Sequence, residues 1–130
     1  MEILATAEAP APGGHYSQGI IHDGLVYVSG QLPIVPGSRE HRPGSIEEQT
    51  ERTLKNVQAI LRAAGSDLGQ LVQLTIYVAD MDDWGVVNAT VARMLGSHRP
   101  ARAIVPVGEL HHGYGIEIQA IGAMRESGSG

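Results

Sequence analysis

The sequence predicts an α+β fold in which two helices cover one face of a mixed six-strand sheet. Two segments repeat apolar residues at helical spacing, six short segments are β-like, and Gly- and Pro-rich turns separate them. The 130 residues suffice for a single domain with its own core. We expect that domain over residues 1–125, with the low-complexity residues 126–130 as a flexible tail.

The N-terminal part of the chain predicts three short strands, at residues 3–6, 19–22 and 25–29. Asp23-Gly24 separates the second strand from the third, which is the composition of a two-residue hairpin turn. These strands therefore begin the predicted order β-β-β-α-β-α-β-β.

Both helices carry start and stop signals. The first begins at Ser45, forms a capping box with Glu48 and ends at Gly65. Its apolar stripe consists of Leu54, Val57, Leu61 and Ala64. The second begins at Asp82 or Asp83 and ends at Gly96, with an apolar side made of Trp84, Val87, Val91 and Leu95. One apolar face on each helix predicts that both pack on one side of a sheet.

Three further strands are predicted at residues 72–79, 102–107 and 115–124. Side chains alternate between the faces of a strand, so Arg102 and Glu117 each fall on the less apolar face of theirs. Two helices on one side leave the other sheet face bare, and a bare apolar face in a small protein predicts oligomerisation.

Composition narrows the classes of function. The chain has no Cys, which excludes thiolate nucleophiles and Cys-based zinc sites. A net charge of −5, scattered basic residues and five aromatics disfavour nucleic acid as a partner. No apolar run is long enough to span a membrane, and residues 1–14 lack a signal-peptide pattern, so we expect a cytoplasmic protein with no membrane partner.

Several polar groups offer chemistry, each with a plainer alternative. The pairs Glu47-Glu48 and Asp82-Asp83 are explained by the first turns of helices. His111 and His112 are adjacent and would diverge on an extended chain, so we expect a turn or pocket-rim role and no metal site. From the residues alone, Arg102 is either a carboxylate clamp or a surface charge, and Glu117 is either functional or a surface carboxylate.

Seven segments, in order along the chain, resemble the motifs of one known family. They are Gly14-His15-Tyr16-Ser17-Gln18-Gly19, Val28-Ser29-Gly30-Gln31-Leu32-Pro33, residues 46–65, Asp80-Met81-Asp82-Asp83-Trp84, Val87-Asn88, Arg99-Pro100-Ala101-Arg102 and Ile116-Glu117-Ile118-Gln119-Ala120-Ile121. The chain resembles the YjgF/Rid family of reactive-intermediate imine deaminases, also called L-PSP endoribonucleases. The likeness runs from about residue 3 to residue 123.

This resemblance implies a chorismate-mutase-like (YjgF-like) fold and a homotrimeric barrel with sites in the clefts between subunits. It implies hydrolysis of small enamine and imine carboxylates, such as 2-aminoacrylate and 2-iminopropionate, to 2-ketoacids and ammonia without a cofactor. Arg102 would then hold the substrate carboxylate, and Glu117 would position the water and transfer protons. The residues implied to line the cleft are Tyr16, Ser29, Gly30, Asn88 and Ile104.

Four positions depart from the family pattern. Gln119 replaces a second Glu, Ile104 replaces a frequent Cys, and His15 and His111 each replace a Pro. These changes leave the substrate and pathway open, together with the roles of Gln119, His15, His111 and His112. Two alternatives therefore remain: a family member that catalyses a non-hydrolytic step such as tautomerisation, condensation or cyclisation, and a non-catalytic binder of small carboxylates.

Overall fold

The computed structural model describes residues 1–125, so the expected tail lies outside the described residues. Its elements follow the predicted order, and three short 3-10 turns join them. They are β1 (Glu2–Leu4), β2 (Gly19–His22), β3 (Leu25–Gln31), α1 (Ile46–Ala63), β4 (Leu71–Val78), α2 (Trp84–Leu95), β5 (Ala101–Pro106) and β6 (Ile116–Ala123).

The turn between β2 and β3 is the predicted tight hairpin. Asp23 and Gly24 both have positive φ angles, 50° and 79°. That combination defines a type I′ turn, whose twist matches the twist of the flanking strands.

Helix α1 is closed at both ends by its own sequence. The Glu48 backbone N–H donates to Ser45 Oγ at 3.1 Å, and the Ser45 N–H donates to Glu48 Oε1 at 3.4 Å, which confirms the capping box. At the other end Gly65 has a φ of 79°, and its N–H donates to the Arg62 carbonyl. The Ser66 N–H donates to the Leu61 carbonyl, which completes a Schellman motif.

Helix α2 has Asp83 as its N-cap, in agreement with the predicted start at Asp82 or Asp83. A 3-10 turn at Met81–Asp83 precedes it, and Asp80 caps this turn by accepting a hydrogen bond from the Asp82 N–H at 2.9 Å. Val87 and Val91 are buried as expected, but Trp84 is 41% exposed. Trp84 therefore lies at the edge of the apolar side and is available to other partners.

The sheet has the order β1-β2-β3-β6-β4-β5, with every pair antiparallel except the parallel pair β4–β5. One face packs against both helices and forms the core. Its largest fully buried side chains include Leu54, Ile60, Leu61, Leu74, Ile76, Ile116 and Ile118. Within residues 1–125, no helix combines the length and apolar character needed to cross a membrane.

The opposite sheet face, which we call the open face, is not covered by either helix. Tyr27 pairs with Ile121 on this face and is 42% exposed, and Ile3 at its edge is 69% exposed. Glu117 and Gln119 lie on the same face, opposite Tyr77 and Thr75 of β4. The prediction of helices on one side and a bare sheet face is confirmed, whereas the trimeric barrel remains a prediction.

Strand β5 directs its less apolar face, which carries Arg102, toward the helices. Arg102 pairs with the buried Leu74, so Arg102 lies on the helix-covered side of the sheet. Ala103 and Val105, from the wholly apolar face, lie on the open face instead. Alternation within a strand defines its two faces, but only the pairing with β4 decides which face meets the helices.

Candidate functional site

Four predicted site residues surround one cavity of about 520 Å³, which we call the Glu117 cavity. They are Tyr16, Ser29, Gly30 and Glu117. The register of β3 against β6 shifts between Val28 and Gln31, so Ser29 and Gly30 lie in an irregularity of the strand. Bulges re-aim side chains and leave backbone groups unpaired, and this one lies directly beside Glu117.

Gly30 is required by the position of the Glu117 carboxylate. A Cβ atom added to Gly30 would overlap Glu117 Oε2 and lie 3.1 Å from its carboxyl carbon. The carboxylate therefore occupies the space that any other side chain at position 30 would fill. This contact fixes Glu117 against the backbone of β3, at the wall of the cavity.

Two hydroxyl groups line the same cavity. Ser29 Oγ donates to the Ser17 carbonyl, which leaves the oxygen lone pairs of Ser29 as acceptors. The Tyr16 hydroxyl oxygen accepts from the Gly13 N–H at 3.1 Å, so its own hydrogen remains available for a ligand. Tyr16 is 52% exposed, which places it at the cavity entrance.

Sequence reasoning quoted Gln18 within a motif but assigned it no role. Its buried side chain accepts from the Thr6 N–H at 2.7 Å and donates to the carbonyls of Thr6, Ala9 and Pro10. Pro10 lines the Glu117 cavity. Gln18 therefore holds the N-terminal segment against the cavity. This role rests on hydrogen bonds to backbone groups 8 to 12 residues away, which no local sequence pattern indicates.

Arg102 lies in a second concavity of about 510 Å³, which we call the Arg102 groove. Arg102 Nη1 donates to Asn88 Oδ1 at 2.7 Å, and its guanidinium carbon lies 5.9 Å from the centroid of the Trp84 ring. Trp84 and Asn88 are one turn apart on α2, so one helix face supplies both contacts. A hydrogen bond and a cation–π contact together restrain the guanidinium.

Ile104 lies two residues beyond Arg102 on the same face of β5. It pairs with Ile76 and packs against the hydrophobic core. Its side chain thus joins the layer beneath the Arg102 groove, where the resemblance implied a cleft-lining residue.

A single chain does not bring Arg102 and Glu117 together. Their strands β5 and β6 are separated by β4, and their β4 partners, Leu74 and Tyr77, are three residues apart. These spacings place the two Cα atoms about 14 Å apart. The side chains also leave opposite faces of the sheet, so the site predicted from sequence is divided into two separate parts.

His111 and His112 line the Glu117 cavity, in agreement with the predicted pocket-rim role. The His41 ring stacks on His112 with centroids 3.6 Å apart, and His41 Nδ1 lies 2.9 Å from the Tyr114 hydroxyl. Desolvation, reinforced by the charges of His41 and His111, lowers the pKa of His112. This favours the neutral form of the His112 ring. Within residues 1–125, no group of three or more potential metal ligands is arranged around one point.

The remaining departures from the family pattern lie outside the direct contacts of Glu117. His15 is exposed in the loop before β2. Gln119 is exposed on the open face, where it accepts a hydrogen bond from the Tyr77 hydroxyl at 3.2 Å. Where the resemblance implied a second Glu, this chain thus has a neutral group that joins two strands of the open face.

The profile of the endoribonuclease L-PSP family matches residues 6–124, almost the whole described chain. The chain belongs to this family, also known as YjgF/Rid.

Relatives of known sequence and structure agree with this assignment. The rat 2-iminobutanoate/2-iminopropanoate deaminase is 40% identical over 120 residues, 92% of this chain and 88% of the rat protein. The crystal structure of the YjgF gene product of E. coli is 38% identical, covers 96% of this chain and 100% of that one, and has a TM-score of 0.90. E. coli TdcF, solved with bound serine, is 31% identical with the same coverage and TM-score.

The YjgF/Rid assignment confirms the predicted family and the α+β fold with its mixed six-strand sheet and two helices. It also explains why the motifs quoted from the sequence fall on the strands and helices of the structure along almost the whole chain. The motifs that carry the resemblance supply residues to both concavities, Ser29 and Glu117 to one and Asn88 and Arg102 to the other.

Proposed function

We propose that this protein hydrolyses small enamine and imine carboxylates to 2-ketoacids and ammonia, at sites formed between the subunits of a homotrimer. The observation that supports the proposal most directly is that the Arg102 guanidinium and the Glu117 carboxylate, which the reaction needs together, lie in two separate concavities of one subunit. One concavity presents a restrained guanidinium, and the other presents a carboxylate held against a backbone bulge. The deaminase names of relatives at about 40% identity support the same reaction.

Arg102 binds the substrate carboxylate in this proposal. A guanidinium matches a carboxylate with two parallel hydrogen bonds, which fixes the plane of the ligand as well as its position. Arg102 Nη1 donates one hydrogen bond to Asn88 Oδ1, so the other N–H groups of Arg102 remain available to the ligand. TdcF binds serine, a small amino acid carboxylate of similar size to the proposed substrates.

Glu117 transfers the protons. It accepts one proton from water as the water oxygen bonds to the carbon of the protonated imine, which gives a neutral carbinolamine. It then returns that proton to the nitrogen, and the C–N bond breaks as the C=O bond forms. The hydroxyl proton passes to Glu117 and on to solvent, so ammonia and the 2-ketoacid are released. The free hydrogen of Tyr16 and the lone pairs of Ser29 are placed to orient the water or the nitrogen.

Assembly of subunits joins the two parts. The open face carries Glu117 together with exposed apolar side chains such as Tyr27, and a second copy that covers this face removes them from water. A cyclic trimer with heterologous contacts would place the Arg102 groove of one subunit opposite the Glu117 cavity of the next. Each of the three clefts then contains one complete site.

The proposal is tested by generating 2-aminoacrylate or 2-iminopropionate enzymatically and following ketoacid and ammonia release. We expect release faster than the spontaneous rate, and loss of the acceleration in Arg102→Ala. The matched control is Arg93→Ala on α2, because Arg93 pairs with Glu47 and Glu51 and lies outside both concavities. Binding of these ligands without acceleration contradicts the proposal and favours a non-catalytic carboxylate binder.

A further inference from the structure

We propose that the Arg102 groove selects substrates with a second carboxylate, which Arg99 binds, so that the preferred imines derive from dicarboxylic amino acids. The inference rests on the proposed role of Arg102 as the clamp for the first carboxylate. It assigns a function to Arg99, the first residue of the segment Arg99-Pro100-Ala101-Arg102. Arg99 has no part in the hydrolysis described above.

The charge of the groove carries the inference. Arg99 and Arg102 both line it, and within the described part of the chain no Asp or Glu lines it with them. Among residues 1–125 neither guanidinium forms an ion pair, whereas Arg62 and Arg93 each pair with a carboxylate. Two uncompensated cations in one concavity are notable on a chain of net charge −5. Such a concavity attracts a ligand with two negative charges.

The backbone restrains the distance between the Cα atoms of the two arginines. His98 Nε2 donates to the Leu71 carbonyl at 2.7 Å, which ties the loop before Arg99 to the start of β4. Pro100 restricts the backbone between the two arginines, and Asn88 holds Arg102. Three residues span at most about 10 Å between Cα atoms, so two arginine side chains can both reach a four- or five-carbon diacid.

The chemistry is the same as for a monocarboxylate. Water adds to the C=N carbon, ammonia leaves, and the product is a 2-keto dicarboxylate such as oxaloacetate from 2-iminosuccinate. The second carboxylate takes no part in bond making or breaking. Its contact with Arg99 contributes binding and orientation, so its effect falls on selectivity between substrates.

The structure provides a direct reporter of binding. Trp84 is the single tryptophan of the chain, and its ring lies 5.9 Å from the guanidinium carbon of Arg102. We would titrate the full-length protein with succinate and with butyrate, which share four carbons and do not absorb near 280 nm, at constant ionic strength. We expect succinate to bind about tenfold more tightly, as a charge-assisted contact predicts.

Arg99→Gln should abolish the difference between succinate and butyrate, whereas the charge-matched control Arg93→Gln should retain it. In turnover, the ratio of kcat/KM for 2-iminosuccinate to that for 2-iminopropionate should fall about tenfold in Arg99→Gln. Equal affinity of the wild-type protein for the two acids overturns the proposal about Arg99, even if 2-iminopropionate is hydrolysed normally. If the wild-type protein does not accelerate 2-iminopropionate hydrolysis either, the proposed function is refuted separately.

Discussion

Replacing Gly30 by Ala should lower kcat by about a hundredfold and leave the fold intact. The added Cβ overlaps Oε2 of Glu117 and lies 3.5 Å from its Cγ, so the carboxylate must move. A displacement of about 1 Å restores ordinary van der Waals contact. Such a misplacement of a catalytic group lowers kcat by about a hundredfold.

Stability should change little in the same variant. Gly30 is not among the glycines with positive φ, so alanine fits its backbone conformation. The displaced carboxylate is the end of a flexible side chain, and alanine reduces the entropy of the unfolded chain, which stabilises by roughly 0.4–1 kcal/mol. We therefore expect a free energy of unfolding within about 1 kcal/mol of wild type.

The assay pairs chemical denaturation with the rate of ketoacid release. Gly69→Ala is the matched control, because a Cβ at Gly69 meets no atom within 4 Å and the residue is remote from both concavities. Wild-type turnover in Gly30→Ala would refute the conclusion that the position of Glu117 against β3 matters for the reaction. A large loss of stability would refute the conclusion that only a side chain has to move.

Three further changes have defined outcomes. Arg102→Ala should weaken carboxylate binding by about 2–5 kcal/mol in a titration. Arg102→Lys should recover little of this affinity, because an ammonium cannot donate the two parallel hydrogen bonds of a guanidinium. Glu117→Gln should slow hydrolysis by roughly a hundred- to ten-thousandfold and leave ketoacid binding unchanged. Near-normal turnover in this variant would show that another group transfers the proton. Burial alone raises the pKa of Asp67, but hydrogen bonds from Gln58 and Arg62 bring it below its ordinary value. Asp67→Asn should therefore lower Tm at pH 7, and the difference from wild type should fade as the pH falls below about 4. A difference that persists at low pH would contradict this assignment.

The elements that the sequence predicts best are those whose signals are local. The capping box at Ser45, the left-handed Gly65 and the turn at Asp23-Gly24 involve neighbouring residues only, and all three appear as expected. The orientation of β5 was not predictable in this way. It depends on parallel pairing with β4, formed across the intervening helix α2, and that pairing turns Arg102 toward the helices.

The candidate site shows the same limit. Motifs selected Arg102 and Glu117 individually, but their placement on opposite faces follows from the strand order and not from either motif. His41 stacks on His112 although the two residues are 71 positions apart in the sequence, so no local sequence pattern predicts this contact. Trp84 fitted the apolar spacing of α2, yet in the fold it contacts Arg102 at the exposed edge.

The central claim is that one subunit supplies Arg102 and another supplies Glu117 to the same site. Mixing the inactive variants Arg102→Ala and Glu117→Gln in equal amounts, by co-refolding, tests it directly. Random assembly of a cyclic trimer should leave about a quarter of the sites with both groups intact. We predict that the mixture regains about a quarter of wild-type activity. A co-refolded mixture no more active than the two separate variants, although mixed oligomers form, would contradict the shared site.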